Sequence, residues 1–159
     1  MATTWETETV ELLRVLIDDL ADTPTYSDEK LQRLLLVAAF QVVREVTFDK
    51  TFTVNLTEQT LEPDPTAAAT LNKDLVNLMC LKAACIMDRG AAAKAAGKAV
   101  AGKDMNAVQF DLRGVAESTI RLLKEGWCAV YKEVVFDYIS GTGNLGQAVL
   151  GPFRTLMRY

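Results

Sequence analysis

Proton transfer, nucleophilic attack and metal binding need particular side chains, and this chain is short of them. Its 159 residues include no histidine, which removes the usual triad base and the commonest zinc ligand. The three serines are Ser27, Ser118 and Ser140. The first stands where a helix cap is expected, the second in a helical pattern, and the third opens a glycine-rich tail. Cys80, Cys85 and Cys128 have no candidate base to activate a thiolate. An odd count without regular spacing is no disulfide framework, so all three read as small core hydrophobes. The carboxylates are dispersed: Asp18 and Asp19 diverge around a helix, and Glu58 and Glu62 fall in a hairpin region. Gly141-Thr142-Gly143-Asn144-Leu145-Gly146 fits G-x-G-x-x-G, but the dinucleotide fingerprint needs a strand before it and a helix after it. Here a helix is expected before it, and the glycines read as a source of flexibility. These residues predict no enzyme, no metal site and no cofactor.

Binding is the chemistry that remains. Residues 140–159 combine glycines with large apolar side chains: Leu145, Val149, Leu150, Phe153, Leu156, Met157 and Tyr159. Each Leu or Phe left in water forgoes about 1.5–3 kcal/mol of burial. Such a segment either folds back on its own domain or buries in a partner, where Arg154 and Arg158 pair with acids. A second candidate is the stretch where Phe52, Val54 and Leu56 alternate with Thr and Asn. Its strand edges can pair with a neighbour.

The elements that position these segments are mostly helical. Val10, Leu13, Leu16, Ile17 and Leu20 form one stripe, predicting a helix over about 6–20 that Pro24 closes off. Ser27 is the cap candidate for a second helix, with Leu31, Leu34, Leu35, Ala38, Val42 and Val46 on its stripe. Between 48 and 65 the period falls to two, predicting one strand or a short hairpin that Pro63-Asp64-Pro65 terminates. A third helix is expected over about 66–97. It is apolar nearly all round from Leu75 to Met87 and therefore central to a bundle. Gly97 and Gly102 loosen the alanine-rich stretch that follows. Val108 and Phe110 allow a second short strand, and a last long helix covers about 112–138. The fold class is mainly α: a bundle of about four helices with a short β-hairpin and an extended C-terminal tail. The division is 1–139 for the bundle, with its hairpin at about 48–63, and 140–159 for the docking tail.

The formal net charge is −4 and the bases are scattered, which disfavours tight duplex binding. Residues 1–11 carry Glu6, Glu8 and Glu11 and no base, unlike a signal peptide. The longest apolar run, Leu34 to Phe40, is too short to span a bilayer. The expectation is a protein made and used in a cytoplasm, or assembled there into something larger, without contact with a membrane.

In this order the elements resemble the head-to-tail adaptor proteins of tailed bacteriophages. The stretches that carry the resemblance are YSDEKLQRLLLVAAFQVVREV, the hairpin FTVNLTEQTLEPDP, and the helix DLVNLMCLKAACIM. The resemblance implies a virion structural protein of the neck, assembled in the host cytoplasm. It implies a homo-oligomeric ring of about twelve copies beneath the portal protein. The segment from Leu145 to Tyr159 would dock on the portal, and the hairpin would meet neighbours or the tail or nozzle protein. Passing DNA would be touched only weakly. The alternatives are another neck or tail-completion protein, or a cytoplasmic helical-bundle module that binds a partner helix or small ligand.

Overall fold

A computed structural model describes residues 4–101 and 126–142. Among them are four helices and one two-stranded hairpin, in the order α1 (Trp5–Leu16), α2 (Asp28–Glu45), β1 (Thr53–Asn55), β2 (Thr60–Glu62), α3 (Lys73–Ala101) and α4 (Trp127–Thr142). The mainly helical bundle with its hairpin is the architecture expected. The second short strand at 108–110 and the 112–125 part of the last helix lie outside the described residues.

α1 stops four residues earlier than its apolar stripe suggests. Asp18 takes a left-handed conformation (φ 56°). The Asp19 N–H bonds to the Arg14 carbonyl and the Asp18 N–H to the Val15 carbonyl. This is a Schellman stop, with aspartate where glycine is usual. Ending there keeps two carboxylates out of the last turn, where the helix dipole repels them.

α2 begins after Ser27, as expected, although the Ser27 side chain makes no capping hydrogen bond. Its buried face is Leu31, Leu35, Leu36, Ala38, Ala39 and Val42, broader than the sequence stripe, with Leu34 only half-buried. α3 starts later than expected. Residues 66–71 form turns instead, held by Asp64, whose carboxylate accepts from the Thr66 N–H and hydroxyl. The true cap is Asn72, whose side-chain oxygen accepts from the Leu75 N–H (2.9 Å). α3 then runs through Gly97 to Ala101; the surrounding alanines offset the glycine's cost of about 1 kcal/mol.

Leu75, Leu78, Met79, Cys80, Ala83 and Ala84 of α3 are fully or almost fully buried. α1, α2 and α4 all pack on this helix. α4 runs antiparallel to it, and contacts recur along one face of α3 at intervals of three residues. Lys82 lies over the Tyr131 ring (4.4 Å), Cys85 pairs with Cys128, and the Asp88 carboxylate caps the Trp127 N–H (3.0 Å). The Cys85–Cys128 disulfide, with Cα atoms 4.5 Å apart, corrects the expectation of three unpaired thiols. Forty-three residues separate the two cysteines, so only the packing of α4 on α3 reveals the pair. Cys80 remains a buried free thiol, as expected. Burial pushes it up to about 12.

Two outcomes follow. Native protein should take up no thiol label; unfolded unreduced protein should take up one, on Cys80, and reduced unfolded protein three, read by mass spectrometry. Leu35→Ala, which opens a void at a residue with no exposed surface, should cost about 2–5 kcal/mol in a urea melt. Phe136→Ala, at a residue 67% exposed, should cost less than about 0.5 kcal/mol.

Candidate interaction surfaces

The predicted hairpin contacts divide into core and surface. β1 and β2 pair antiparallel with Val54 opposite Leu61. Phe52, just before β1, is buried in the core and packs edge-on against Phe48. Phe48 in turn meets Tyr138 of α4. Val54 is half-buried against the same core. Leu56, at the turn, is exposed, so the hairpin presents one large apolar side chain from the predicted set. Asn55 shapes the turn, accepting from the Thr57 and Glu58 N–H groups. The other predicted contacts, Leu145, Val149, Leu150, Phe153, Arg154, Leu156, Met157, Arg158 and Tyr159, lie outside the described residues. α4 carries the chain through Ser140 and Gly141 to Thr142.

Two polar clusters tie the helices together. At the α1–α2 corner the Arg14 guanidinium donates to Asp19 (2.8 Å), to the Tyr26 carbonyl (2.8 Å) and to Asp28 (2.5 Å). Asp19 also accepts from the Thr25 and Tyr26 N–H groups. The Thr25 hydrogen bond, helped by Tyr26 and Arg14 against burial, holds the Asp19 carboxyl below its ordinary value. The second cluster joins α2, α3 and α4: Glu45 accepts from Lys82 (2.6 Å) and from the Tyr131 hydroxyl (2.6 Å). Burial would raise the Glu45 carboxyl, but these two donors outweigh it and lower it. Burial foremost, then the bond to Glu45, raises the Tyr131 phenol, so its hydroxyl stays a donor. Among the described residues, no three metal-ligating side chains gather, no buried side-chain N or O lacks a partner, and no helix is long and apolar enough to cross a membrane.

Two surfaces were not read from the sequence. The first is a groove of about 400 Å³ between the start of α2 and the later part of α3. Leu34, Val37, Ile86 and Met87 line it, with Lys30, Arg33 and Lys94 around them. The sequence signal is the unbroken apolar run from Leu34 to Phe40, too wide for a single buried stripe. The second is the outward face of α1, where Leu12 and Val15 stand 41% and 61% exposed. No family model matches the chain, and no curated protein or solved structure matches it.

The α1–α2 corner gives a pH prediction. Asp19 is lowered in the folded chain, so its stabilisation is present above the ordinary aspartate value near 4. It is lost as pH falls through the folded value. Urea melts at pH 7 and pH 3 should show this loss, and Asp19→Asn should flatten it. Arg14→Ala, which removes three hydrogen bonds with charged character from a side chain 14% exposed, should cost about 1.5–3 kcal/mol at pH 7.

Proposed function

We propose that this chain is a head-to-tail adaptor of a tailed bacteriophage, a virion structural protein rather than an enzyme. About twelve copies form a ring under the portal, joining capsid to tail. The observation that carries this reading is the element order. Two helices, a hairpin and a long central helix follow in the sequence that the resemblance implies, and a last helix packs back on the third. The hairpin leans on the bundle through Phe48 and Phe52 and leaves Leu56 exposed, so its tip is available to a neighbour or to a tail component.

Residues 143–159 are the portal-docking segment in this reading, with Phe153, Leu156 and Met157 as anchors and Arg154 and Arg158 facing acids. A ring multiplies each such contact, so a weak single docking becomes a firm collar. The net charge of −4 suits a wall that DNA passes without being gripped.

Quantitative mass spectrometry of purified virions tests the proposal by counting this chain against the portal protein. A ratio near one supports it. A ratio near one half favours a six-fold tail-completion ring, and absence from virions overturns it. Phe153→Ala combined with Leu156→Ala should lower co-sedimentation with portal rings at least about tenfold.

A further inference from the structure

The basic groove and the outward face of α1 complement one another. On α1, Glu8, Glu11, Leu12 and Val15 recur at three- and four-residue steps on the side away from buried Thr9 and Leu13. Such a stripe is a narrow apolar ridge edged by carboxylates. Asp18, Leu20 and Asp22, all exposed, extend it beyond the helix end. The one base on α1, Arg14, is turned inward to Asp19 and Asp28. The groove has the opposite character: an apolar floor, three cations and no acid among its lining residues. Arg33 and Lys94 are exposed and make no ion pair among the described residues. The lengths agree as well. Glu8 to Val15 rises about 10 Å along a helix, and Ile86 to Lys94 rises about 12 Å.

We propose that the α1 ridge of one copy seats in the α2–α3 groove of the next copy. Leu12 and Val15 then fill the floor beside Leu34, Val37 and Met87, and Glu11 meets Arg33 or Lys94. Ridge and groove are different surfaces of one chain, so the contact is heterologous: each copy offers its groove at one side and its ridge at the other. Such a contact propagates and closes into a ring when the rotation per copy divides a full turn. The inference names the neighbour contact of the proposed adaptor ring and rests on that reading for closure, not for the contact itself. Charge selects the occupant. Residues 143–159 contain Arg154 and Arg158 and no acid, a poor match for a groove edged by Lys30, Arg33 and Lys94.

The test uses full-length chain in analytical ultracentrifugation. Wild type should associate with rising concentration and more weakly with rising salt. Leu12→Asp blocks the ridge and Val37→Asp blocks the groove; both sites are exposed, so both variants should keep the wild-type melting temperature and remain monomeric. Mixed together, they should form a dimer and nothing larger, because one intact ridge and one intact groove remain between them. Glu11→Lys should weaken association about threefold, and adding Arg33→Glu to the same chain should recover most of it. Wild type that stays monomeric at every concentration overturns the proposal, as do variants that associate as wild type does. A mixture that stays monomeric also overturns it. Val37→Asp that lowers the melting temperature without changing association would assign the groove to the chain's own residues 102–125 and overturn it too. The two readings fail separately. Virions holding the ring while Leu12→Asp assembles normally would remove this contact and leave the adaptor, and absence from virions alongside a mixed dimer would do the reverse.

Discussion

Everything in the described fold depends on covering α3. From Leu75 to Cys85 this helix has almost no face that water can be allowed to reach, since only Asn77 is exposed and Val76 and Lys82 are half-buried. A helix with one apolar stripe needs one neighbour, whereas a helix that is apolar around its circumference needs several. α1, α2 and α4 supply them. Burial is non-directional, so it demands the cover without choosing which residues meet. The choice falls to directional contacts at the seams.

Those contacts sit where two helices must be held in register. Arg14 spans the corner between α1 and α2 and ties the Schellman stop of one to the first turn of the other. Lys82, Cys85 and Asp88 fix α4 along α3 through three unlike interactions at successive three-residue steps. An apolar seam tolerates slippage by a turn, because one leucine replaces another at similar cost. A seam that pairs a cation with a ring, a thiol with a thiol and a carboxylate with a helix N-terminus tolerates none. Glu45 draws α2 into the same register through Lys82 and Tyr131. The raised phenol of Tyr131 works with this: at any pH well below its folded value the hydroxyl still has a proton to donate to the carboxylate.

What the sequence made legible was periodicity, and what it hid was tertiary. The stripe of α2, the central role of α3 and the change of period at the hairpin follow from spacing alone. The end of α1 was half-legible: Asp18 and Asp19 advertised an unfavourable helix terminus, but the left-handed turn at Asp18 is chosen by Arg14 and the Thr25 N–H, neither of them adjacent. Asn72 was a readable cap passed over because Pro65 suggested an earlier start. The Cys85–Cys128 pair spans forty-three residues and exists only once α4 lies on α3. Phe52 alternated with polar neighbours as a surface strand residue would, yet the side of the strand it shares with Val54 is the side turned to the bundle. Period two says that two faces differ; it does not say which is wet.

The same limit explains why the groove and ridge escaped a reading along the chain. A helix on its own shows which residues are apolar, not which of them its neighbours leave uncovered. α1 is short and carries apolar residues on both sides: Val10 and Leu13 face inward, Leu12 and Val15 outward. α2 likewise has more apolar surface than α1 and α3 cover, and its surplus lies where α3 extends beyond the reach of α1. Surplus apolar area beside acids on one surface, and beside bases on another, is costly for a chain that must stay a monomer, because each patch invites association and the opposite charges steer it. It is well suited to a chain that meets copies of itself, where modest contacts, repeated around a closed ring, hold without any one of them being tight.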